Sequence, residues 1–261
     1  MIRLEKKHKY LIHAVLVTLA VFLFTAHFDF RWAIAAIAIT LVGTFVVQYP
    51  NNRPIHFIIN NLLPLHLIIG TLLSLYYFPN LGLPVRIFFV ISMGLGFYIV
   101  SLINNVYLVV EEKKELIPLY RVAVTWSQII FVVITIPFFA GVFKIPVNSL
   151  IQNLIVLISA FLFAAYLFWI MGFDPEAKKV RGVEYLLLSS FGAFAVLAAG
   201  LSTSFIPTES FLRALFVSSV LMFILNYLST YLKNNITRKS VTEYFLITFV
   251  FFAFLIIFGN P

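Results

Sequence analysis

The chain has 261 residues, 62% of them hydrophobic and only 11% charged, with a mean hydropathy of +1.04. A soluble domain is about a quarter charged, so there is too little polar side chain here to cover a water-exposed surface. The composition excludes a soluble enzyme, a nucleic-acid-binding module and a disordered tail, and leaves no room for a sizeable extramembrane domain. With no cysteine, disulfides, thiolate metal sites, iron–sulfur clusters and a cysteine nucleophile are excluded as well.

In chain order, nine stretches are long and apolar enough to cross a bilayer, which takes about 20 residues as a helix. The first, 10–26, follows RLEKKHK, a basic lead like the n-region of a signal peptide. Its apolar run is longer than the usual signal core, so we expect a retained first helix. The turn HFDFRW leads to 33–49, YPNNRP to 55–78, and FPNLGLP to 86–109. EEKKELIP then leads to 118–142, KIPVN to 149–171, GFDPEAKKVRG to 183–205, IPTES to 211–232 and KNNITRKS to 241–259. Every connection is short and carries turn or breaker residues. The expected fold class is an all-α integral membrane bundle of about nine transmembrane helices, forming a single domain over residues 1–261.

The formal charge of +8 is distributed by loop. Arg3, Lys6, Lys7 and Lys9 precede the first helix, and Arg53 follows the second. Lys113, Lys114 and Arg121 lie at the fourth connection, Lys178, Lys179 and Arg181 at the sixth, and Lys233, Arg238 and Lys239 at the eighth. The other side holds only Arg31, Arg86, Lys144 and Arg213. Cytoplasmic loops are enriched in Lys and Arg, so the N-terminus is expected inside and the C-terminus outside, in a cell (inner) membrane. The helix count and the alternation of charge are independent readings, and they agree.

Weak internal similarity links the third and fourth segments to the seventh and eighth. His56 and Glu184, Pro79 and Pro207, and Arg86 and Arg213 are separated by 128, 128 and 127 residues, and Phe89, Val90 and Ser92 match Phe216, Val217 and Ser219. An even offset of four helices preserves orientation, so the expectation is one helix plus two four-helix parallel repeats, 31–142 and 145–259. The alternative is that Pro and Arg mark any helix boundary.

Aspartate occurs only at Asp29 and Asp174, both in loops. That leaves no aspartate-rich motif to hold magnesium against a pyrophosphate. There is no HExxH, GxSxG or GxxxxGK[ST] motif, and no cofactor is implied. The remaining polar residues gather in the expected cytoplasmic halves of their helices: His13, His56, Asn60, Asn61, Asn104, Asn105, Arg121, Gln128, Glu184, Asn226 and Glu243. At 1.5 Å per residue, Asn60 and Asn61 lie about 8–9 Å below the start of their helix. One reading makes His56, Asn60, Asn61, Asn104, Asn105, Arg121 and Gln128 a polar vestibule, with Arg121 facing an anionic headgroup or substrate. The other makes the amides interhelical glue and Arg121 a side chain that snorkels to the interface. His66 stands near mid-membrane, two residues after Pro64. It is either a proton-relay or ligand group or a neutral histidine bonded between helices. Proline also frees a backbone carbonyl one turn earlier, near Asn60, for another group to satisfy.

The stretch GFYIVSLINNVYLVVEEKKELIPLYRVAVTW, with its Asn-containing helix end, short loop and "PL-R-A" start, resembles one in an uncharacterised family of small multi-pass membrane proteins of candidate-phylum bacteria. KNNITRKSVTEYFL is similar to that family's final hairpin. The resemblance implies an inner-membrane protein of about nine helices and no activity or site residues. Three classes of function remain: a non-catalytic membrane component or partner subunit, a transporter or lipid-handling protein with a cytoplasm-facing vestibule, and an intramembrane enzyme, which the missing motifs disfavour. The expected partners are the lipid bilayer, other membrane proteins or individual lipids, not nucleic acid.

Overall fold

A computed structural model describes residues 5–48, 54–180 and 182–259, so Arg3, Arg53 and Arg181 lie outside the described residues. Among those residues the chain is nine α-helices, with no strand. They are α1 (Lys6–His27), α2 (Phe30–Gln48), α3 (Pro54–Tyr77), α4 (Leu83–Lys113), α5 (Pro118–Val142), α6 (Ser149–Met171), α7 (Val183–Thr203), α8 (Ser210–Leu232) and α9 (Arg238–Phe258). All nine are long and apolar enough to span a bilayer, so this is a multi-pass membrane protein.

Helix ends follow local chemistry. Pro84 and Pro118 stand in the first turns of α4 and α5, where proline's missing N–H costs nothing. The Asn148 side chain accepts from the Leu150 amide at 3.0 Å, and that of Thr237 from the Ser240 amide at 3.1 Å, capping α6 and α9. At its far end α4 runs on through Val110–Lys113, beyond the apolar run, and stops where Lys114 turns left-handed at φ 54°. At 31 residues it is about 46 Å long, well over the ~30 Å of hydrocarbon. Glu111 and Glu112 therefore belong to a helix rather than to the connection.

α3 lies at the centre. Asn60, Asn61, Leu62 and Leu63 are all buried, so neighbours surround this turn completely. α3 packs on α2, α4 and, most extensively, α5. Gly70 and Gly141 allow that last approach. A Cβ at Gly70 would sit 2.8 Å from the Phe138 backbone nitrogen, and one at Gly141 would collide with Leu73. Gly43 does the same for α1 and α2, because a Cβ there would occupy the space of the His13 ring.

The packing order repeats with an offset of four helices. α1 packs on α2 and α4, and α3 on both; α5 packs on α6 and α8, and α7 on both. Arg86 donates to the Leu81 and Pro79 carbonyls after α3 and lies over the Phe28 ring after α1. Arg213 donates to Ser204 and Thr203 at the end of α7 and lies over the Phe143 ring after α5. Consecutive helices alternate in direction. This brings the start of α1 and the loops after α4, α6 and α8 to one end, here called the basic end.

Candidate functional site: a polar network and a cavity at the basic end

The network starts from Pro64. Its ring removes the amide that would bond to the Asn60 carbonyl one turn earlier, and Asn104 Nδ2 of α4 donates to that carbonyl instead, at 3.0 Å. The same Asn104 accepts the Tyr166 hydroxyl of α6 at 2.6 Å, so one side chain joins α3, α4 and α6. Asn60 Nδ2 donates to Gln48 Oε1 of α2 at 3.2 Å. One turn earlier on α3, His56 Nε2 lies 2.8 Å from Glu111 Oε1. Tyr10 of α1 donates to Asn105 Oδ1 at 3.2 Å. Aromatic side chains surround the network. Tyr107 bonds Ser127 at 2.8 Å, Tyr120 donates to the Ile170 carbonyl at 2.8 Å, and the Tyr107, Tyr166 and Trp169 rings pack edge to face or tilted.

The sequence-derived cluster thus separates. His56, Asn60 and Asn104 are brought together, with Asn105 at the edge facing α1. Asn61 is buried, but its Nδ2 folds back onto the Phe57 carbonyl of its own helix at 2.8 Å. Arg121 lies exposed on the outer side of α5, and Gln128 is half-buried; neither side chain joins the network. An Arg121 facing into a vestibule is not what the helix phase allows, because Tyr120 and Ala123 take the inward positions of that turn. His66 bonds the Leu62 carbonyl of its own helix at 2.8 Å and packs on Phe138 and Phe163 at 4.8 and 5.0 Å. Its Nδ1 is taken up by helix α3 and its ring fills the contact with α5 and α6.

Sequence reasoning missed Glu111, assigned to a loop, and Gln48, at the edge of its segment. It also missed Tyr107, Tyr120 and Tyr166, which face inward on α4, α5 and α6. A second polar cluster at the opposite end went unseen too. There Asn153 Nδ2 donates to the Ser149 carbonyl at 2.8 Å and to Ser204 Oγ at 3.1 Å, beside Arg213.

Beside the network is a cavity of about 520 Å³ between α3, α6 and the start of α7. Its walls are Ile59, Leu62, Tyr166, Trp169 and Tyr185, and Lys178 and Lys179 stand at its end. Ile58, on the α3 wall, is 61% exposed, so the cavity opens sideways toward lipid. The connection after α6 is folded over this end. The Lys178 amide donates to the Leu232 carbonyl at 2.6 Å, and Asp174 pairs with Lys233 at 3.0 Å. Lys178 Nζ lies 2.5 Å from Glu184 Oε1 and over the Tyr231 ring. The hydrogen bond to Glu184 raises its pKa above the ordinary lysine value. Lys179 is exposed and forms no ion pair among the described residues.

In comparison with known proteins, no family model, curated protein or solved structure matches this chain.

Proposed function

We propose that this multi-pass protein is a lipid-handling component of a bacterial inner membrane, with its basic end in the cytoplasm, that holds an anionic amphiphile in the cavity between α3, α6 and α7. The resemblance to the uncharacterised multi-pass family and the charge bias of the loops support that placement. The observation that carries the reading is the form of the cavity. It is apolar along its length, open toward lipid at Ile58 and basic at Lys178 and Lys179. A volume of about 520 Å³ falls in the usual range for a bound small molecule, about 300–1,000 Å³, and basic pockets between helices near the membrane surface suit anionic headgroups. The hydroxyls of Tyr107, Tyr120 and Tyr166 are bonded to protein groups, which favours holding over chemistry.

Lipids retained through purification, identified by mass spectrometry, test this. A lysine beside the membrane contributes about 1 kcal/mol to an anionic headgroup, so Lys178→Ala with Lys179→Ala should reduce the retained anionic lipid about thirtyfold. Ile59→Trp, which fills the cavity, should do the same, and Arg121→Ala should change nothing. An unchanged lipid profile in both the lysine pair and the cavity variant would overturn the reading.

The partner-subunit reading has one observation of its own. α9 packs on α8 and buries only Leu255, leaving Phe245, Phe249, Phe254 and Phe258 exposed. Because the chain has no cysteine, Phe249→Cys places a unique thiol on that face. Disulfide-linked dimers in native membranes would favour a second copy there; a monomer throughout would remove the support.

A further inference from the structure

The cavity at the basic end is graded in polarity along its depth. Lys178 and Lys179 stand in the connection at its end. Trp169 is two residues before the end of α6 and Tyr185 two residues after the start of α7, so each lies about 3 Å inside its helix end. Deeper walls are aliphatic. Leu62 of α3 and Leu162 of α6 are about 12 and 14 Å inside their helix ends by the same rise. The Tyr107, Tyr120 and Tyr166 hydroxyls are all bonded to protein groups. Trp169 and Tyr185 differ: both line the cavity half-buried, and among the described residues neither the indole N–H nor the phenol O–H has a protein hydrogen-bond partner. Their rings are held in place, Trp169 against Tyr107, Tyr166 and Phe173, and Tyr185 against Phe168 at 5.3 Å. An indole N–H can only donate and a phenol can donate, and both side chains suit places where an apolar body meets a polar partner at its tip.

We infer that the amphiphile held here is an ester-linked glycerophospholipid, whose acyl carbonyl oxygens accept from Trp169 Nε1 and the Tyr185 hydroxyl. Resting on the lipid-holding reading, this narrows the ligand to one chemical class. In such a lipid the anionic phosphate is followed inward by the ester carbonyls and then by the alkyl chains. Charge, hydrogen-bond donors and hydrocarbon follow in the same order along the cavity. A polyprenyl phosphate carries no carbonyl below its phosphate and would leave both donors to water. The opening beside Ile58, 61% exposed, lets the second acyl chain remain in the bilayer.

Diacyl phosphatidylglycerol and its dialkyl ether analogue share headgroup, charge and chain length and differ in the carbonyls. Each is added in equal amount to the delipidated chain in detergent, and bound lipid is measured by native mass spectrometry. The wild-type chain should bind the ester about fivefold more tightly, the effect of one net hydrogen bond. Trp169→Phe with Tyr185→Phe keeps an aromatic ring at each position, removes both donors, and should lower ester binding to the level of the ether. Equal binding of ester and ether by the wild-type chain overturns the ester class and leaves the lipid-holding reading standing, with water serving the two donors. Binding of neither lipid overturns that reading, and the ester class with it. The wild-type comparison needs no variant, so it decides even where the double variant fails to fold. A folded double variant that keeps the full ester preference also overturns the assignment.

Discussion

Asn104 is the residue whose chemistry is most constrained, because its two polar ends serve different helices. Its Nδ2 satisfies the carbonyl that Pro64 frees, and its Oδ1 receives Tyr166. Asn104→Leu strands both partners away from water, and the loss should be about 2–4 kcal/mol. Asn105, half-buried and bonded among the described residues to Tyr10 alone, should cost about 1 kcal/mol or less as leucine. Pro64→Ala returns an amide to the Asn60 carbonyl, so Asn104→Leu should be milder in that background. A double-mutant cycle on thermal unfolding in detergent would show this as a coupling of about 1 kcal/mol between residues on different helices. Strict additivity would mean that Asn104 does not stand in for the missing amide.

At the scale of the element, two features govern the basic end. One is the length of α4. The apolar run ends near Leu108–Val110, yet the helix continues to Lys113, and this last turn carries Glu111 to His56. The other is the α3–α5 contact, in which glycine replaces the side chain that would keep the helices apart. Gly70→Ala would press a methyl group against the Phe138 backbone at 2.8–2.9 Å, and backbone has no rotamer by which to yield. That substitution should destabilise by about 1–3 kcal/mol. Gly96→Ala meets only Leu67 Cδ2 at 3.5 Å, an ordinary contact, and should lie within about 0.5 kcal/mol of wild type. Comparison of the two melting temperatures separates close helix approach from the general helix-stabilising effect of alanine.

At the scale of the whole molecule, charge bears on orientation and helix packing on repetition. The charge distribution predicts that a reporter fused after Lys114 is active in the cytoplasm and one fused after Pro261 is active outside. A cytoplasmic C-terminus would reverse the placement proposed for the cavity mouth. The four-helix offset suggested by His56 and Glu184, Pro79 and Pro207, and Arg86 and Arg213 has a counterpart in the packing order. Its quartets, however, are α1–α4 and α5–α8 rather than the second-to-fifth and sixth-to-ninth helices. Phe28 and Phe143, the rings beneath the two arginines, follow the first helix of each quartet. We propose that the repeat unit begins at α1. Coexpressed halves divided after Lys114 should then associate in the membrane, with each half inserting as a four- or five-helix unit.

The nine spans were legible in the sequence because the bilayer imposes a one-dimensional rule: about 20 apolar residues, then a turn, with charge outside the hydrocarbon. The freed carbonyl near Asn60 was legible for a similar reason, since the effect of proline on a helix is local. Which group would satisfy that carbonyl was not, because Asn104 lies 44 residues away in the chain and only the antiparallel packing of α3 and α4 brings it there. The same holds for Arg121. Its distance from the helix end could be counted, but whether it faced the bundle or the lipid depended on helix rotation, which an all-round apolar segment does not encode. The cavity, the pairing of Glu111 with His56 and the bond of Tyr166 to Asn104 arise from separate helices meeting at one depth. Hydropathy along the chain fixes how often it crosses the membrane; side-chain shape and polar pairing between helices fix which residues meet, and only the tertiary structure decides that.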